Sequence, residues 1–168
     1  MFEPEINRNV NDEGIYEQLL PQISSLISND DPVITNLSNF SAALKSSFDK
    51  ISWVGFYLLK NDLLYLGPFQ GKTACTQIKI GSGVCGTCAS EKRGIIVKNV
   101  DDFPGHIACD SGSKSEIVLP LIFNNKVIGV LDIDSYNLNA FNKTDEIYLT
   151  RFVNILMSKI DFTNFVLK

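Results

Sequence analysis

Long apolar runs are missing from this sequence. The longest uninterrupted one, Ile117 to Phe123, is far too short to span a bilayer. A basic patch is missing too: the 12 lysines and three arginines are scattered, and the net charge is −4. Non-specific binding to nucleic acid or to an anionic membrane needs such a patch, so neither partner is expected. Repeats, low-complexity segments and Gly/Ser linkers are also lacking. Histidine occurs once, at His106, and tryptophan once, at Trp53. The residues MFEPEINRNV carry acids and no apolar stretch, so no secretory signal is expected and the chain is read as cytoplasmic. Thiols stay reduced in that compartment. The four cysteines therefore suggest catalysis, metal binding or packing more than a structural staple.

What is present describes a globular protein. With 168 residues, 45% hydrophobic and 20% charged, the chain is expected to form one domain over 1–168. Ile15, Tyr16, Leu19, Leu20, Ile23, Leu26 and Ile27 recur at helical spacing, with a kink or break expected at Pro21. A second helix is expected from Asp31 as cap and Pro32 as first residue, running to about Lys50. The period then changes. ISWVGFYLL and LLYLGPF read as strands joined at Asn61-Asp62, followed by a strand near Thr76–Ile80, a short helix over 83–92, and a strand over Gly94–Asn99. Residues 100–115 form a long loop, and IVLPLIF and VIGVLDID a hairpin around Asn124–Lys126. Asn142 with Asp145 resembles a capping box opening a last helix. Short strand connections favour an α+β fold with a mostly antiparallel sheet and helices on one face.

Gly81-Ser82-Gly83-Val84-Cys85-Gly86 matches the G-x-G-x-x-G of dinucleotide sites, and Asp101 follows. The context does not match. The strand before it alternates polar and apolar residues, and the few residues between Gly86 and Gly94 cannot hold a crossover helix. A glycine turn into a short helix is the simpler reading. Cys85 then falls in the first helical turn, where the dipole favours a thiolate.

The cysteines are spaced C-x9-C-x2-C-x20-C, with one close pair where a structural zinc site usually has two. Cys88 reads as a buried small hydrophobe. Cys109 does not, because its loop, GHIACDSGSKSE, has no apolar periodicity. Asp132 and Asp134 share one strand face with Ile128 and Val130. Register decides whether Glu116 joins them. A two-residue turn at Asn124-Asn125 puts Glu116 on the opposite face, whereas a three-residue loop or a bulge puts it beside Asp134.

GPFQGKTAC, GSGVCGT, FPGHIACD, SEIVLPL and IGVLDID, in this order and spacing, resemble the free methionine-(R)-sulfoxide reductases, small enzymes built on a single GAF domain. The resemblance covers about Ile51 to Asp134. It implies a six-stranded, mostly antiparallel GAF-like sheet flanked by N- and C-terminal helices. It places three redox cysteines on Cys75, Cys85 and Cys109, and the substrate pocket on Trp53, Glu116, Asp132 and Asp134. Cys109 is the nucleophile this favours, with Cys85 as rival. Cys88 departs from the family, where alanine is usual at that position.

The implied reaction reduces free L-methionine (R)-S-oxide. A thiolate attacks the sulfoxide sulfur while an acid, Glu116 or Asp134, protonates the departing oxygen. Crowding three acids raises at least one pKa. An ionised acid can bind the substrate ammonium, backbone N–H groups of the Ile107, Ala108 and Cys109 loop its carboxylate, and Trp53 its S-methyl group. Cys75 or Cys85 then condenses with the sulfenic acid, and thioredoxin restores the thiols. No metal or organic cofactor is required. A homodimer is left open, and His106 is expected to hydrogen-bond the backbone. Two rival readings remain: a ligand-sensing GAF module and a zinc-stabilised interaction domain.

Overall fold

The computed structural model describes residues 4–163; the rest of the expected 1–168 unit lies outside them. Helix α1 (Asp12–Leu26) starts where the Asn11 side chain accepts the Gly14 amide, and it buries Ile15, Tyr16, Leu19 and Ile23. The break expected at Pro21 does not occur. Pro21 lies on the exposed face, and the buried Leu19 and Ile23 anchor the turns on either side of it. Helix α2 (Val33–Ser47) also corrects the expectation, because Pro32 itself is the N-cap and no side chain caps it. Asn36 ties that end down instead. Its amide donates to the carbonyls of Ser28 (2.8 Å) and Asp31 (3.2 Å) and accepts the Ser28 N–H (3.0 Å).

Strands β1 (Trp53–Lys60), β2 (Leu63–Gln70), β3 (Gln77–Lys79), β4 (Ile95–Val97), β5 (Ser115–Phe123) and β6 (Lys126–Ser135) form one sheet in the order β3-β2-β1-β6-β5-β4. Every pairing is antiparallel. Helix α3 (Gly83–Glu91) interrupts the meander between β3 and β4, and α4 (Lys143–Lys159) follows β6. The capping box of α4 is present as expected from Asn142 and Asp145. Asp145 also accepts the Tyr16 hydroxyl at 2.9 Å and pairs with Lys50 at 2.5 Å, binding α1, α4 and the start of the sheet together.

Helices cover both faces of the sheet, not one. The larger core joins α1, α2 and α4 to Val54, Phe56, Leu58, Ile117, Leu119, Leu131 and Ile133. The smaller core lies on the opposite face, where Val84, Cys85, Cys88 and Ala89 of α3 meet Trp53, Tyr57, Val118 and Val130. The alternation along β1 fits this: odd residues Trp53 and Tyr57 face α3, even residues face the other helices. The short α3, with only nine residues, covers part of its face and leaves the ends of β1, β5 and β6 open for a pocket.

The β5–β6 hairpin turns at Asn124-Asn125, both with positive φ (49° and 61°), the two-residue geometry that matches sheet twist. Alone, that turn would place Glu116 across the sheet from the aspartates. A bulge intervenes: Ile122 pairs with Val127, but Leu121 pairs with Gly129. The extra residue in β6 restores the face alternation, so Glu116 pairs with Asp134. It also corrects the position of Ile128, which packs with the larger core while Val127 takes its place beside α3.

Candidate active site

The pocket lies between α3, the ends of β5 and β6, and the loop that follows β4. Cys85, His106, Ile107, Cys109, Asp110, Ser113, Glu116, Asp132 and Asp134 line it. Glu116 and Asp134 face each other across the β5–β6 ladder, and Asp132 stands one pleat further in, on the same face as Asp134. Glu116 and Asp132 are buried. Desolvation pushes both carboxyls well above the usual carboxylate range, and like charge adds to it: Asp134 acts on Glu116, and Glu116 on Asp132. Asp134 is raised for the same two reasons, burial first and the Asp132 charge second. One oxygen of Asp132, Oδ1, has no hydrogen-bond partner among the described residues.

Cys75 and Cys109 are joined in a disulfide with Cα atoms 5.3 Å apart. The two lie in different loops, after β2 and after β4, and Cys109 lines the pocket. Tyr57 stands behind the bridge. Its hydroxyl donates to the Cys75 carbonyl at 3.0 Å and lies 4.0 Å from Cys109 Sγ. Burial, then the Asp132 charge, raises the phenol pKa, so Tyr57 stays protonated. Tyr57 was not expected from sequence, although its spacing from Trp53 along one strand face is a usable signal.

Asp110 anchors the loop next to Cys109. It accepts the Gly112 N–H at 2.9 Å and the Tyr136 hydroxyl at 2.7 Å, and its pKa falls, first through the Gly112 bond and then the Tyr136 bond. Lys72, 3.4 Å away, ties the same carboxylate to the Cys75 loop. These anchors, too, were not read from sequence.

Cys85 and Cys88 are free thiols, both buried. Cys85 occupies the first turn of α3, as expected, but the dipole does not win. Burial, followed by the charges of Asp132 and Glu116, pushes its thiol pKa well up. Its Sγ is 4.0 Å from Glu116 Oε1. Cys88 is raised too, for the same leading reason. His106 departs from the backbone-bonded role expected of it: its imidazole Nε2 faces Glu116 Oε2 at 3.5 Å, and desolvation lowers its pKa.

The glycine motif serves packing. A side chain on Gly86 would meet the Lys79 carbonyl at 2.2 Å, so glycine lets α3 close against β3.

Trp53 is buried at the far side of the Cys109 bridge. Its ring stacks on Phe69 (5.4 Å) and Tyr57 (6.1 Å), and its Nε1 donates to the Lys72 carbonyl at 3.0 Å. There it lines a second, smaller cavity with Tyr57, Cys109, Asp132 and Asp134. The two cavities hold only about 20 and 10 Å³ and share Cys109 and the aspartates as their dividing wall. Ile107 lines the larger one, whereas Ala108 is exposed and outside its lining.

Residues 40–161 match the family model of the GAF domain. The chain is 51% identical to the GAF domain-containing protein A of Dictyostelium discoideum, over 90% of this chain and 96% of the relative. It is 42% identical to the free methionine-R-sulfoxide reductase of Escherichia coli, over 93% of this chain and 94% of that protein. The X-ray structure of the free methionine-R-sulfoxide reductase of Neisseria meningitidis in complex with its substrate superposes with a TM-score of 0.86 at 42% identity, covering 94% of this chain and 95% of that one. With 42% identity and a scaffold shared nearly end to end with these enzymes, the chain belongs to the free methionine-R-sulfoxide reductases, oxidoreductases of the GAF fold.

Proposed function

We propose that this protein reduces free L-methionine (R)-S-oxide to L-methionine through a cysteine sulfenic acid and the Cys75–Cys109 disulfide. The observation that carries the reading is that disulfide, whose Cys109 shares a pocket with Glu116, Asp132 and Asp134. Cys109 is the nucleophile. Cys85, the rival, is buried among carboxylates that hold it as a thiol, and only the thiolate attacks well. The Cys109 thiolate bonds to the sulfoxide sulfur while a carboxylic acid gives the departing oxygen its proton; the oxygen passes to Cys109 and methionine leaves. Glu116, buried and raised in pKa, is the stronger proton donor, and Asp134 its alternative. The sulfenic acid then condenses with the Cys75 thiol, releasing water and forming the bridge.

Asp132, with an oxygen lacking a partner, suits the substrate ammonium. The exposed backbone at Ile107 and Ala108 suits its carboxylate. Trp53 suits the S-methyl group. Both cavities are small in the bridged form, which this reading takes as the closed end of the cycle. Reduction by an external dithiol, thioredoxin in the cytoplasm, frees Cys109 and merges the two spaces. Among the described residues, no helix is long and apolar enough to cross a membrane.

The test mixes reduced protein with each epimer of free methionine sulfoxide and counts methionine and thiols. Release from the R epimer alone, with two thiols lost per methionine, supports the reading. No release from either epimer sinks it and favours a ligand-sensing module.

A further inference from the structure

Three donors of two kinds, one thiol sulfur and two carboxylate oxygens, converge inside the pocket. Cys85 Sγ, a Glu116 oxygen and an Asp132 oxygen all lie within 4.8 Å of one another, and all three residues are buried. They come from three elements, α3, β5 and β6, so no single segment can spread them. Two of them already touch, Cys85 Sγ lying 4.0 Å from Glu116 Oε1. The His106 imidazole Nε2 lies next to this cluster but outside it, 3.5 Å from Glu116 Oε2. A second observation points to a ligand. Asp132 is only 7% exposed, lines the pocket, and has its Oδ1 without a hydrogen-bond partner among the described residues. A buried orphan acceptor is costly unless something enters to satisfy it.

From this geometry we infer that Cys85, Glu116 and Asp132, with His106 as fourth ligand, form a binding site for a zinc ion inside the substrate pocket. The donor set selects the metal. Thiolate and imidazole together exclude magnesium and calcium, which take oxygen ligands, and a four-donor cluster of S, N and O atoms suits tetrahedral zinc. The spacing is close to what zinc needs. With Zn–S near 2.3 Å and Zn–O near 2.0–2.2 Å, donors on a tetrahedron stand roughly 3.5 Å apart, so the three clustered donors contract by about 1 Å and the His106 loop moves in to supply the fourth. Charge favours it as well. One thiolate and two carboxylates, deprotonated on binding, offset the charge of the dication. The ion is not a cofactor of the reaction. It occupies the carboxylates assigned above to the substrate ammonium and the departing oxygen, and so inhibits in competition with the sulfoxide; this consequence rests on the proposed function.

The test uses zinc alone on the Cys75→Ser/Cys88→Ala/Cys109→Ser protein, in which Cys85 is the remaining thiol. Equilibrium dialysis should retain one zinc per chain, and cobalt in its place should give a thiolate charge-transfer band. Adding Cys85→Ala should abolish the band and the retained ion, and Asp132→Asn should weaken retention at least tenfold, with the Trp53 fluorescence reporting that each variant is folded. The same count on the disulfide-bonded wild type, where only Cys85 and Cys88 are free, serves should the multiple variant not fold. No retained zinc, or retention indifferent to both substitutions, overturns the site. Activity is read separately: in the wild type, zinc should raise the KM for the sulfoxide and leave kcat unchanged. A protein that binds zinc through Cys85 yet never releases methionine keeps the site and loses the functional reading, and the reverse result does the opposite.

Discussion

Glu116 pairs with Asp134 across the β5–β6 ladder because β6 contains one residue more than β5 between the hairpin turn and the pocket. The bulge at Ile128 therefore gathers the acids on one face. The turn sets the count from which the bulge departs, and its two asparagines adopt left-handed backbone conformations. Asn125→Gly should hold or raise stability, whereas Asn125→Val should cost about 1–2 kcal/mol, since a β-branched residue pays for positive φ. Urea melts of the two variants, compared at equal slope, check this. Equal stability of the two would contradict the assigned turn.

The cysteines should separate in kinetics. Cys109→Ser should lose methionine formation by on the order of 10³-fold or more. Cys75→Ser should keep the first release, one methionine per chain, but slow sharply with thioredoxin, leaving a sulfenic acid that a dimedone-type probe labels. Cys85→Ala should still form the disulfide. Single-turnover assays with mass spectrometry read all three, and a Cys85→Ala protein unable to release methionine would move the nucleophile to α3.

Acid pairing should appear in stability against pH. The carboxyls of Glu116, Asp132 and Asp134 have folded pKa values raised above those of the unfolded chain. Between the unfolded and folded values, the native protein therefore binds more protons than the unfolded one, and stability falls as pH rises through that window. Glu116→Gln removes one such group and should gain on the order of 1 kcal/mol at neutral pH while losing activity. Chemical denaturation at several pH values, wild type against variant, measures it. A gap between the two that widens toward acid pH would contradict the burial of a protonated acid.

Trp53 is the only tryptophan, so its emission reports on the pocket alone. Its indole packs against Tyr57 and Phe69 beside Cys109. Reducing the Cys75–Cys109 bridge should shift the emission, and adding the sulfoxide to a Cys109→Ser protein should shift it again, saturably. Trp53→Phe loses the bond to the Lys72 carbonyl, costing about 1 kcal/mol, and should raise KM more than it lowers kcat. Emission indifferent to both reduction and ligand would remove Trp53 from the pocket.

Much of this protein was legible in its residues. The helical spacing of Ile15 to Ile27, the β-branched and aromatic run from Ile51, the Asn142–Asp145 box and the two-residue spacing of Asp132 and Asp134 each report local rules, which act over a few residues and leave a trace in the chain. The thiol motifs, matched as a set, named the family. Tertiary packing decided the rest. Pro21 stays helical because buried neighbours on both sides outweigh one missing hydrogen bond. The Cys85 thiol stays protonated because burial among acids overcomes a helix end. Glu116 reaches Asp134 only through a bulge that no local pattern announces. His106 turns to a carboxylate, and Asp110 gains Tyr136 and Lys72, because the fold brings together segments far apart in sequence. Desolvation and Coulomb forces depend on what surrounds a group in space, so only the folded chain could assign a pKa or a partner to residues whose types the sequence had already supplied.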